Sequence, residues 1–184
     1  MFETDKIREA QFFYAWLLRT ERIQPDNPEH FKWFLSAFLS AARSVLQFAH
    51  REAVGDTRSA SGPTSGKPGG KLWYDSAMSS SQMLSFFKGK RDDNVHFKPV
   101  TAVKEISIHI AESMLAWINT LDASDTGAPL LAPPPSPYTT VTTIEKYKFD
   151  DWPGSEGVLQ MCDNYLTKLS DMVKDGQQRG LLTP

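Results

Sequence analysis

The chain has 184 residues, 40% hydrophobic and 23% charged, with eleven Phe and five Trp, enough apolar bulk for one domain with a packed core. Its 20 basic and 22 acidic residues leave a net charge of −2, so no global field draws it to nucleic acid or an anionic membrane, and any RNA contact must come from a local basic patch. The single Cys162 excludes an internal disulfide and fits a reducing compartment, with the cytoplasm as the default. The opening Met-Phe-Glu-Thr-Asp carries no signal-peptide pattern, and no apolar run is long enough for a transmembrane helix.

In chain order, Ile7, Ala10, Phe13, Tyr14, Leu17 and Leu18 recur every three or four residues, which predicts a helix over about 5–20. Asn27-Pro28 then forms a helix start, with Asn27 as cap and Pro28 in the first turn. From Pro28 to about Ala53 the apolar period is unbroken through Phe31, Phe34, Leu35, Phe38, Leu39, Ala42, Val45, Leu46 and Ala49. A helix of that length, roughly 39 Å at 1.5 Å per residue, finds a partner surface only in a bundle.

Residues 55–70, rich in Gly, Ser and Pro, offer no large apolar side chain. They read as a mobile loop inserted between helices rather than a domain boundary. Helical signals resume at Lys71, pass a Ser-rich joint at 79–81 where Ser79 or Ser80 can cap a new helix, and continue to Lys98-Pro99.

Residues 100–150 read as an insertion. Val103, Ile106, Ile108 and Ile110 approach a period of two, and Thr139–Phe149 is rich in β-branched and aromatic residues. Both runs read as strands, about 102–111 and 139–149, that can pair as a β-hairpin. Met114–Ile118 also fits a helix, so the assignment over 102–118 stays open. The three prolines at 133–135 make the stretch between the strands a loop. A last helix is expected from near Ser155, with Val158, Leu159, Cys162, Tyr165, Leu166, Leu169, Met172 and Val173 as its apolar stripe and Gly176 as its stop. Cys162 on that face reads as a buried structural thiol.

The chemistry-bearing candidates are few. Gly69-Gly70 lacks the Lys-Ser/Thr of a phosphate loop. His30, His50, His96 and His109 lack metal-ligand partners, no Gly-x-Ser-x-Gly turn exists, and neither a metal nor a cofactor is implied. What remains is the segment Phe86–Phe97, with five charged residues in six positions around Gly89. Arg91 offers a planar fork suited to phosphate, and His96 a side chain that titrates near neutrality. Lys88, Lys90 and Lys98 add local positive charge and are candidate substrate-binding residues. Read more simply, Arg91 with Asp92 or Asp93 is a surface ion pair worth under about 1 kcal/mol. In a continuous helix, residues five apart lie about 140° apart around the axis. Arg91 and His96 therefore converge on one substrate only if the helix loosens, or if a second chain brings its own pair alongside.

Arg91-Asp92-Asp93-Asn94-Val95-His96, placed late in a helical hairpin, resembles the signature of the HEPN superfamily: Arg, a polar residue, a few variable residues, then His. The upstream helix Phe38–Val45, Trp73-Tyr74 ahead of the motif, and Tyr147–Trp152 before the closing helix are similar to uncharacterised bacterial proteins of that kind. The likeness covers about 1–100 well and the rest loosely. It implies a mainly α, HEPN-like bundle of four to five helices over 1–184, carrying the strand-like insertion that the minimal bundle lacks. It further implies a homodimer with a shared cleft and a metal-independent endoribonuclease of toxin–antitoxin or anti-phage systems, acting on RNA and meeting an antitoxin or other protein partner. Carried over, His96 is the general acid/base, Arg91 the phosphate and transition-state stabiliser, and Asp92 the orienting residue. Some members of the family have lost catalysis and act as protein- or nucleotide-binding modules, the alternative for this chain.

Overall fold

In the computed structural model, residues 2–23, 28–56, 64–96, 102–113 and 138–184 are described, without side chains at 22–23, 28, 64, 93–96, 107–113 and 138–145. They form two compact units, Met1–Val103 with Tyr147–Pro184, and Lys104–Lys146. Among its described residues the first unit holds five helices: α1 (Phe2–Ile23), α2 (Pro28–Val54), α3 (Gly70–Ser79), α4 (Gln82–His96) and α5 (Val158–Gln178). The protein is mainly helical, as expected.

α1 and α2 run antiparallel. Phe2 at the start of α1 stacks on Phe48 late in α2, at 5.5 Å between ring centroids. Trp16 further along α1 stacks on Phe34 near the start of α2 at 5.4 Å. The apolar period of α2 becomes the floor of the core: Phe31, Leu35, Phe38, Leu39, Ala42, Val45, Leu46, Ala49 and Ala53 are all buried. α5 covers that floor with Val158, Cys162, Tyr165, Leu166, Leu169, Met172 and Val173, joined by Met161, which its stripe did not include. Phe87 of α4 ties the layers together. Its ring stacks on Tyr165 at 4.3 Å and 5°, and meets Phe38 edge-on at 6.4 Å.

The stretch expected as a loop over 55–70 has ordered ends. Gly55–Asp56 (β1) pairs antiparallel with Thr64–Ser65 (β2), and Lys67 N–H donates to the Ala53 carbonyl at 2.9 Å; 57–63 lie outside the described residues. Glycine permits the approach: a Cβ on Gly70 would stand 1.9 Å from the Ala53 carbonyl oxygen. α3 then starts against the end of α2.

Two helix boundaries differ from expectation. α4 is capped by Ser81, whose hydroxyl accepts from the Leu84 N–H at 3.3 Å, whereas the Ser79 and Ser80 hydroxyls donate back to the carbonyls of Ser76 and Ala77. α5 starts at Val158 after Gly157, without a side-chain cap from Ser155, and runs through Gly176. Gly176 is a packing glycine, since a Cβ there would meet Leu182 at 2.7 Å and Trp73 at 2.8 Å. The stop is Gly180 (φ +70°), where Leu181 N–H donates to the Gly176 carbonyl and Gly180 N–H to that of Gln177. Those two bonds in that order close a helix around a left-handed residue.

The second unit is a two-stranded ribbon of β3 (Val103–Ser113) and β4 (Tyr138–Lys148), whose end residues belong to the first unit. Lys146 pairs with Glu105 at 3.5 Å, setting the start of one strand beside the end of the other, as an antiparallel pair does. The expected strands are thus present with bounds shifted by one or two residues. Met114–Ile118, the Pro-rich loop and Asn27 lie outside the described residues.

Candidate functional site

α4 carries the candidate residues, and its helix is continuous from Gln82 to His96. The buried Leu84 and Phe87 fix its orientation against the core. Arg91 and Asp92 follow one turn later. Arg91 is 27% exposed, and its Nη1 donates to Asp92 Oδ1 at 3.3 Å. The Nε of Arg91 is buried and finds no acceptor among the described residues.

Asp92 also faces α2, where Arg43 Nε stands 4.0 Å from the same Oδ1. Arg43 is 18% exposed, and its own Nε lacks a hydrogen-bond acceptor among the described residues. Two guanidinium groups therefore share one carboxylate. Arg43 in turn hydrogen-bonds the buried Tyr74; burial raises the Tyr74 phenol above its ordinary value and the guanidinium offsets part of that. Burial likewise pushes up the phenol of Tyr165, whose hydroxyl has no partner among the described residues.

The three candidate lysines part ways. Lys88 is exposed and lines an open cleft of about 510 Å³ with Arg43, Gln47, His50, Arg51, Gly55, Asp56, Tyr74 and Asp75. Lys90, expected to hold substrate beside it, is 11% exposed and pairs with Asp151 at 2.6 Å. Its ammonium also lies over the rings of Phe86 and Phe149, at 5.4 and 5.2 Å. Residues two apart on a helix are rotated by about 200°, which separates these lysines. Lys98 lies outside the described residues. For His96 the helical backbone alone is described, and five residues of unbroken helix set its Cα about 140° round the axis from that of Arg91.

His50 lies on that cleft with its ring perpendicular to Tyr74, at 4.9 Å and 85°. Its partners were legible in part, because Arg43, Gln47 and His50 fall at i, i+4 and i+7, a polar stripe on an otherwise apolar helix. Tyr74 and Lys88 join that stripe only through tertiary packing. Cys162 is fully buried and its thiol is pushed well above its ordinary value by that burial, which suits a structural thiol and not a nucleophile.

Among the described residues no group of three His, Cys, Asp or Glu side chains could hold a metal ion, and no helix is long and apolar enough to cross a membrane. The fold and site define a mainly helical protein with a cationic cleft between α2, α3 and α4. No protein-family model, curated protein or solved structure matches the chain.

Proposed function

We propose that this chain is a HEPN-type, metal-independent endoribonuclease that works as a homodimer in the cytoplasm, as a toxin or anti-phage component held by an antitoxin or another protein. The observation that carries the proposal is the Arg91–Asp92–Arg43 array. A half-buried guanidinium is held by a neighbouring carboxylate, its Nε still has no acceptor among the described residues, and a histidine follows on the same helix. Buried donors of this kind, fixed before substrate arrives, are what stabilise charge developing on a phosphodiester.

His96 takes the proton from the ribose 2′-hydroxyl, and the 2′-oxygen attacks phosphorus. The bond to the 5′-oxygen breaks, and that oxygen leaves with a proton returned by an imidazolium. The products are a 2′,3′-cyclic phosphate and a 5′-hydroxyl end. Arg91 balances the charge on the non-bridging oxygens, Asp92 orients Arg91, and Lys88 and Lys98 hold flanking phosphates. Because α4 does not loosen between Arg91 and His96, the two roles meet across a dimer, with the Arg of one protomer facing the His of its partner. RNA cleavage by purified protein in EDTA, compared with His96→Ala and Arg91→Ala, tests the proposal.

The second function is a non-catalytic helical dimer that binds a protein or a nucleotide. The same continuity of α4 favours it, because one chain does not assemble the pair. Phe12, Trp16 and Trp33, respectively 57%, 36% and 61% exposed, add apolar surface of a kind that marks protein contacts.

A further inference from the structure

Among the described residues β3 and β4 make a sheet of two strands, so the outer edge of β3 presents its backbone to a further strand. The strand is long, 11 residues, or roughly 36 Å at 3.3 Å per residue. Two strands by themselves are marginally stable in water, and a third strand or a covered face supplies what is missing. At the start of β3 neither face is covered: Val103 and Ile106, three positions apart and so on opposite faces, are 54% and 55% exposed. Edges that are kept from pairing carry a proline, a bulge or a charge in mid-strand. The middle of β3, Ile106-Ser107-Ile108-His109-Ile110-Ala111, has no proline, no glycine and no permanent charge. The charges stand toward its ends, Lys104 and Glu105 at one and Glu112 at the other.

That order is self-complementary. When a strand pairs antiparallel with its own copy about a two-fold axis perpendicular to the sheet, opposite residues share a face and their numbers have a constant sum. Pairing over the whole of Val103–Ser113 centres on Ile108. Lys104 then stands opposite Glu112, Ile106 opposite Ile110, and Ile108 opposite its own copy, all on one face by alternation. Opposite charges and matched β-branched residues are the cross-strand pairs that stabilise a sheet. Glu105 falls opposite Ala111, so no like charges meet. Moving the centre by one residue either way loses the match, setting Lys104 against Ile110 or Ile106 against Glu112. β4 has no such symmetry. Centred on Thr143, it sets Val141 against Glu145, Thr140 against Lys146 and Tyr138 against Lys148.

We propose that β3 pairs antiparallel with β3 of a second copy of this chain, about a two-fold axis at Ile108, merging two ribbons into one four-stranded sheet. The contact uses no residue of α4 or of the cationic cleft. It is therefore separate from the α4 dimer proposed above and stands without the ribonuclease.

Crosslinking of the full chain with a short bis-maleimide tests the register, with the buried Cys162 as unreactive background. Ile108→Cys should form covalent dimers. Lys104→Cys and Glu112→Cys should each fail to do so alone, because eight positions, about 26 Å, separate each from its own copy. Mixed together, those two variants should crosslink to one another. Sedimentation tests the charge pattern. Lys104→Glu, on an exposed side chain, meets Glu112 twice in each pair and should weaken self-association through β3 by about tenfold. Adding Glu112→Lys to it should restore the parent value. Equal crosslinking by Ile108→Cys and Lys104→Cys, no mixed product, or no recovery in the double charge swap overturns the proposal. An edge that serves a different protein would leave the purified chain without the 108–108 product, and that result also overturns it. RNA cleavage with no β3 crosslink would sink this contact alone; β3 crosslinks without cleavage would sink the ribonuclease alone.

Discussion

Arg43 on α2 and Asp92 on α4 face each other with 4.0 Å between Nε and Oδ1, and that same oxygen accepts from Arg91 Nη1 at 3.3 Å. One carboxylate stands between two guanidinium groups and cannot neutralise both, so the array keeps a net positive charge toward solvent. Asp92 is 41% exposed, and exposed ion pairs contribute little to stability. Asp92→Asn should therefore cost less than about 1 kcal/mol in urea unfolding while strengthening anion binding, since a competing anion is removed. A loss well above that, with no gain in anion binding, would make Asp92 a structural clamp.

Phe87 couples the core to the site. It is fully buried between Tyr165 and Phe38, four residues before Arg91. Phe87→Ala should cost about 3–5 kcal/mol, the usual loss for truncating a buried aromatic. Phe86→Ala should cost less, because that ring is only half-buried. Denaturant midpoints at constant slope check the order, and a reversed order would contradict the packing.

Acid should loosen the end of α5. Asp175 accepts from Arg179 Nε at 2.9 Å and from the Trp73 indole at 2.7 Å, and these bonds, Arg179 first, hold its carboxyl below the ordinary value. A carboxyl whose folded pKa is depressed contributes stability that is present above its unfolded pKa and lost as the pH falls through the folded one. The difference in stability between the parent chain and Asp175→Asn should therefore shrink on acidification from about pH 5 to about pH 2. A difference independent of pH would remove the ionised carboxylate from the account.

The long helices were legible because their apolar period is nearly unbroken. Every residue of the α2 stripe except the half-buried Phe34 is buried, and α5 differs by the addition of Met161 and by Leu159, which is only half-buried. Boundaries were less legible where several residues of one kind compete. Three serines stand at 79–81 and only Ser81 is placed to accept from the N–H three residues on. Gly176 and Gly180 both end plausible turns, but only Gly180 adopts the left-handed backbone, while Gly176 makes room for Trp73 and Leu182. The contact of Arg91 with Asp92 was legible from the sequence because the two are chain neighbours. The cleft of Arg43, His50, Tyr74 and Lys88 was not, because its parts lie on three helices and no local spacing joins α2 to α3 or α4. The diversion of Lys90 to Asp151 was hidden for the same reason, since its partner lies 61 positions along the chain.

The most direct test of the ribonuclease is cleavage of single-stranded RNA by purified protein in excess EDTA, with the new ends identified chemically. A ribonuclease of this type yields 2′,3′-cyclic phosphate and 5′-hydroxyl ends, at a rate that falls by about 10²–10⁴ in His96→Ala, the usual worth of a positioned acid/base, with a comparable fall in Arg91→Ala and the fold intact. Cleavage at the parent rate by both variants, or none by the parent chain freed of any bound protein, would contradict it.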